Sequence, residues 1–164
     1  MAFMARLSRL SSASMAEGAN IDIRAQAEQI HSDLTNWWQN CPPALRDQSN
    51  DWRRQHLQRK LTVHETLKKE AFSSIKSCMY GCIIYLNHIL DPLGLESQKT
   101  EVTEAIMEIL EVAEDVPRGH GLEVGHYWGL FMVGISVLNH DENEALVRKK
   151  LELVSEPCIY VGIS

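Results

Sequence analysis

Between Trp52 and Leu90 apolar residues return every three or four positions, and a stripe of that length can be buried only by other elements packed along a helix. Leu57, Leu61, His64, Leu67, Ala71, Ile75, Cys78, Cys82, Leu86 and Ile89 make up the stripe. The run is long for one globular helix, so a break is expected between Arg59 and Thr62. Its second half, from Ser77 to Leu90, is apolar on most sides and should be the most buried helix of the chain. Gly81 within it predicts the close approach of a second helix, at a cost in helix propensity. Asp91-Pro92 stops the segment, and Pro92-Leu93-Gly94 makes a turn.

The remaining chain carries the same helical period. Asn20 or Asp22 can cap a helix whose stripe is Ile23, Ala27, Ile30, Leu34, Trp37 and Trp38. Cys41-Pro42-Pro43 ends it, because proline lacks an amide donor and disfavours a helical residue before it. Residues 44–51 read as a loop. From Ser97 to Glu114, Val102, Ala105, Ile106, Ile109, Leu110 and Ala113 form an apolar face opposite Glu101, Glu104, Glu108, Glu111 and Glu114. Residues 116–121 form a loop, 122–138 a glycine-bearing apolar run for which a buried helix is preferred over a strand, and 141–154 a last helix with Leu146, Leu151 and Val154 inward. The first 20 residues hold Arg6, Arg9 and several serines but no acid before Glu17, a composition similar to a weak transit peptide. They are expected to be a flexible, disordered lead. The expected fold is all-α, an irregular bundle of about five to six helices with that N-terminal lead. The helical domain then spans 21–156, and 157–164 is an apolar tail.

Composition narrows the function. The 164 residues suffice for one domain, and their net charge of −6 argues against direct nucleic-acid binding, which draws on basic patches. Cys41, Cys78, Cys82 and Cys158 do not have the spacing of a secreted disulfide framework. Cys78 and Cys82 share a helix face and read as small apolar core residues; as half a zinc site they lack a second pair at matching spacing. No run of apolar residues is long enough to span a membrane. These features fit the nucleus or cytoplasm.

No HExxH, GxSxG, P-loop or GxGxxG pattern is present, so no catalytic residue, metal ligand or cofactor is expected. His120, Glu123 and His126 surround a glycine-rich loop and are candidates for a pocket or an interface. Tyr127 and Trp128 follow them directly. Trp37 and Trp38 are further candidate aromatic anchors.

Three stretches together resemble the fungal-specific transcription factor domain, the regulatory domain of fungal zinc-cluster regulators. The first is Leu34 to Trp38 followed by Cys41-Pro42-Pro43-Ala44-Leu45. The second is the Leu-, Tyr- and Ile-rich helix from Met79 to Leu90. The third is the acidic helix from Ile106 to Val116 followed by His126 to Ile135, with the helix from Glu144 to Leu153 next in order. The resemblance covers about residues 22–154. Gly129 stands where the family often has proline, and the six-cysteine zinc cluster of these regulators is not found among four cysteines without a CxxC.

The resemblance implies an all-α regulatory module, here truncated, without shared catalytic residues. It implies transcription regulation through protein contacts, with a full-length zinc-cluster regulator or a second copy as partner. A fungal secondary-metabolite gene cluster is the expected setting. The alternative is an enzyme or accessory protein of a biosynthetic pathway, holding a small hydrophobic ligand between the same helices.

Overall fold

A computed structural model of the chain describes residues 2–15, 22–46, 62–91, 100–115 and 124–137. These form five long helices and one single-turn helix, and among the described residues there is no strand. The helices are α1 (Ala2–Met15), α2 (Ile23–Gln39), α3 (Pro43–Arg46), α4 (Val63–Leu90), α5 (Thr100–Asp115) and α6 (Val124–Val137). The expected helix over 141–154 and the tail over 157–164 lie outside the described residues.

The expected flexible lead is corrected over residues 2–15, which form α1. Leu7 is 0% and Leu10 2% exposed, with Phe3 and Met4 packed beside them. Burying each leucine is worth about 1.5–3 kcal/mol, enough to order a segment whose other side chains are small or polar. A 2.7 Å ion pair from Arg6 to Asp33 joins α1 to α2 at the surface. That guanidinium, with a hydrogen bond from the Gln29 amide, holds the Asp33 carboxyl below its ordinary range.

Asp22 caps α2 by accepting from the Ala25 amide at 3.0 Å. Ala27, Ile30 and Leu34 are buried, as the stripe requires, and Ile23 and Trp38 pack partly against the core. Trp37 remains 42% exposed. At the far end the Asn40 side-chain amide donates to the Asn36 carbonyl at 2.8 Å, just before the two prolines. Pro43–Arg46, expected as loop, is a helical turn, in keeping with the fit of proline to a first helical position.

Thr62 starts α4 within the span where a break was expected. Its hydroxyl accepts from the Glu65 amide at 3.3 Å, while the Glu65 carboxylate accepts from the Thr62 amide at 2.9 Å. That reciprocal box satisfies two amides left open by the first turn. The second half is the buried part, with Met79, Cys82, Ile83, Ile84, Leu86 and Ile89 in the core. The first turns differ from expectation. His64, Leu67 and Ala71 are exposed, while Ser74, Lys76 and Ser77 point inward. Buried Lys76 is answered by Glu108 of α5 at 2.5 Å.

In α5 the face of Val102, Ala105, Ile106, Ile109, Leu110 and Ala113 is buried as expected. In α6, Leu130, Met132 and Val133 are buried. α4 packs against α1, α2, α5 and α6, so the core surrounds it. Its closest neighbour is α6. A Cβ on Gly81 would lie 2.8 Å from Trp128 Cδ1, and one on Gly129 would lie 2.1 Å from Ser77 Oγ. Only glycine lets these two helices meet at that distance.

Candidate interaction site

Two aromatic groups flank α4. On one side Phe3 of α1 meets Trp37 at 5.9 Å between ring centroids, Trp37 meets Trp38 at 6.1 Å, and Trp38 meets Tyr80 edge-on at 6.3 Å. On the other side Tyr85 stands edge-on to Trp128 at 5.4 Å, and Trp128 lies 6.3 Å from Phe131. Edge-on and tilted geometries of this kind add to the area buried. Among the described residues no ring contact joins the two groups.

The candidate residues therefore do not gather at one place. Trp37 and Trp38 belong to the first group, and Trp128 belongs to the second. Tyr127 is 42% exposed beside it on α6. His126 sits on the first turn of α6, while His120 and Glu123 lie outside the described residues.

Beside the first group a cleft of about 240 Å³ opens between α2, α4 and α5. Trp38, Met79, Tyr80 and Ile83 form its apolar wall, with Glu101, Glu104 and Glu108 at the other. Burial, together with the charges of Glu108 and Glu104, pushes the Tyr80 hydroxyl up to about 12. Glu101 is engaged by His31 Nε2 at 2.7 Å and Glu108 by Lys76. Two of the three carboxylates are thus already engaged by basic side chains, and their wall is polar rather than apolar.

The second group faces outward. Tyr127 and Phe131, four residues apart and so on one helix face, are exposed, Phe131 by 56%. Trp128, itself packed on Tyr85, lies against Phe131, and the two exposed rings form an apolar ridge of the kind that anchors protein contacts.

Sequence reasoning missed a third cluster. Met4 of α1 reaches α4, where the Cys78 thiol donates to its thioether sulfur at 3.6 Å. Cys78 also contacts the Cys82 thiol one turn on. Hydrogen bonding from Cys82 draws the Cys78 thiol down to about 7, while Cys82, facing the same partner and buried, is held protonated well above its usual range. The signal was half visible in the four-residue cysteine spacing; its third member was assigned to the lead.

Among the described residues no three His, Cys, Asp or Glu side chains converge as metal ligands, and no helix is long and apolar enough to cross a membrane. No curated protein and no solved structure is similar enough to the chain to count as a match. The profile of the fungal-specific transcription factor domain matches residues 1–157, α1 included, and the chain belongs to that family.

Proposed function

We propose that the chain regulates transcription in the nucleus through contact with another protein, either a full-length zinc-cluster regulator or a second copy of itself. Family membership across residues 1–157 supports the regulatory role. The observation that carries the contact is the ridge of Tyr127 and Phe131, two large exposed aromatics, the second packed on Trp128. Burying both side chains removes enough apolar area to contribute about 3 kcal/mol to association, before the cost of ordering the complex. A fungal biosynthetic gene cluster is the setting this reading proposes.

Deletion of the gene, followed by joint transcript and metabolite profiling, tests the role. Loss of a coherent set of transcripts is the expected result. Unchanged transcripts with one accumulating intermediate would overturn it in favour of pathway chemistry. Co-purification with a tagged zinc-cluster regulator, repeated with Tyr127→Ser and Phe131→Ser together, tests the ridge. The cleft beside Tyr80 gives a hydrophobic metabolite little support, since three carboxylates line it.

A further inference from the structure

We propose that Met4, Cys78 and Cys82 form a binding site for a soft monovalent metal ion, Cu(I), at the junction of α1 and α4. The site is built from two thiols and one thioether brought together by the fold. Cys78 and Cys82 share a face of α4 at a spacing of four, with their thiols in contact. Met4 arrives from α1 and places its sulfur 3.6 Å from the Cys78 sulfur. Three sulfurs around a trigonal ion, each at a metal–sulfur distance of roughly 2.3 Å, stand about 4.0 Å from one another. The Met4–Cys78 sulfur separation needs only a small expansion to reach that distance.

Ligand chemistry selects the metal. Thioether and thiolate donors favour Cu(I), which accepts two or three sulfurs. Zinc requires four donors, drawn from thiolate, imidazole and carboxylate, and no such set of three or more exists among the described residues. Binding displaces the thiol protons to solvent and leaves the copper oxidation state unchanged. It also ties α1 to α4 by coordinate bonds, adding to the packing and the thiol–thioether hydrogen bond that join them.

The test uses the full chain, reduced and kept anaerobic. Cu(I) is delivered from its complex with a chromogenic chelator, and transfer to the protein is read by loss of the chelator's colour. One equivalent bound per chain is expected. Cys78→Ser and Cys82→Ser should each weaken binding by at least about 100-fold, and Met4→Leu by about 10-fold. Alkylation of the wild-type chain followed by mass spectrometry provides a readout that needs no variant. Added Cu(I) should shield half-buried Cys78 from iodoacetamide and leave Cys41 reactive. Shielding of Cys41 or Cys158 instead would overturn the assignment, as would unchanged affinity in Cys78→Ser. Zn(II) competing for the site at equal concentration would overturn the choice of metal.

Discussion

Replacing Gly129 with alanine places a methyl group 2.1 Å from Ser77 Oγ, 2.9 Å from the Ser77 carbonyl oxygen and 3.3 Å from Ile109 Cγ2. The hydroxyl can rotate away, because Ser77 Oγ is buried without a hydrogen bond and loses nothing by moving. The carbonyl cannot, since it belongs to the backbone of α4. The helices must therefore separate, and overpacking against rigid backbone falls in the upper part of the usual range, about 2–3 kcal/mol. Alanine recovers up to about 1 kcal/mol through its better helix propensity. The net loss is about 1–2 kcal/mol, which for a chain of this size lowers Tm by roughly 2–8 °C. Urea unfolding followed by circular dichroism measures it directly. Ser77→Ala alone should be nearly neutral, because it deletes an unsatisfied hydroxyl. Combined with Gly129→Ala it should recover little of the loss, because the carbonyl contact remains in place. If Gly129→Ala alone matches or exceeds the wild type in stability, α4 and α6 do not cross where the structure places them.

Leu7→Ala should cost about 2–4 kcal/mol in the same unfolding assay, since it leaves a cavity under α1; a change near zero would mean that α1 is not part of the folded core. Thr62→Ala should lose about 1 kcal/mol by breaking the reciprocal cap of α4, with no change in packing because Thr62 is exposed. Tyr80 gives an alkaline signature. Its hydroxyl is held neutral up to about 12 in the folded chain, against an ordinary value of 10, so its contribution is complete below pH 10 and disappears as pH rises towards 12. Tyr80→Phe should flatten that part of the stability profile relative to wild type; an unchanged slope between pH 10 and 12 would refute the assignment. Asp33 works in the opposite direction. Its lowered value makes the Arg6 pair a source of stability above pH 4 that fades as acid protonates the carboxyl, and Asp33→Asn should remove this acid dependence of α1 docking.

The parts of the fold that were legible in the sequence are those where one face meets water and the other meets the core. In α2 and α5 the alternation of Ile, Leu and Ala with Gln, Glu and Asp reports burial directly, and every residue expected on the α5 face is buried. α1 was illegible for a compositional reason. Its serines and arginines, with no acid, matched the profile of a leader, although Phe3, Leu7 and Leu10 already repeat at helical spacing. In α4 the apolar stripe gave the helix but not its rotation. Ser77 turns inward because a small side chain lets α6 approach, and Lys76 turns inward because Glu108 receives it. Hydropathy ranks side chains by affinity for water and carries no information about which neighbour will arrive. For the same reason Gly81 announced a close contact, while its partners Trp128 and Gly129 became known only from the fold.

Of the candidate site, the aromatic residues were found and their grouping was not. Trp37, Trp38, Tyr127 and Trp128 look equivalent as anchors in sequence, yet the wrap of α2 and α6 around opposite sides of α4 separates them. The sulfur cluster depended on a residue 74 positions away from Cys78, beyond the reach of any local spacing.

Because α4 touches each of the other four long helices, it acts as the axle on which the rest are mounted. Its amides should exchange with solvent along a gradient. The turn after Thr62, carrying bare Val63 and Leu67, opens by fraying alone, whereas the stretch from Met79 to Ile89 opens only when every neighbour has left. Hydrogen exchange along this single helix thus reports the cost of local opening at one end and of complete unfolding at the other.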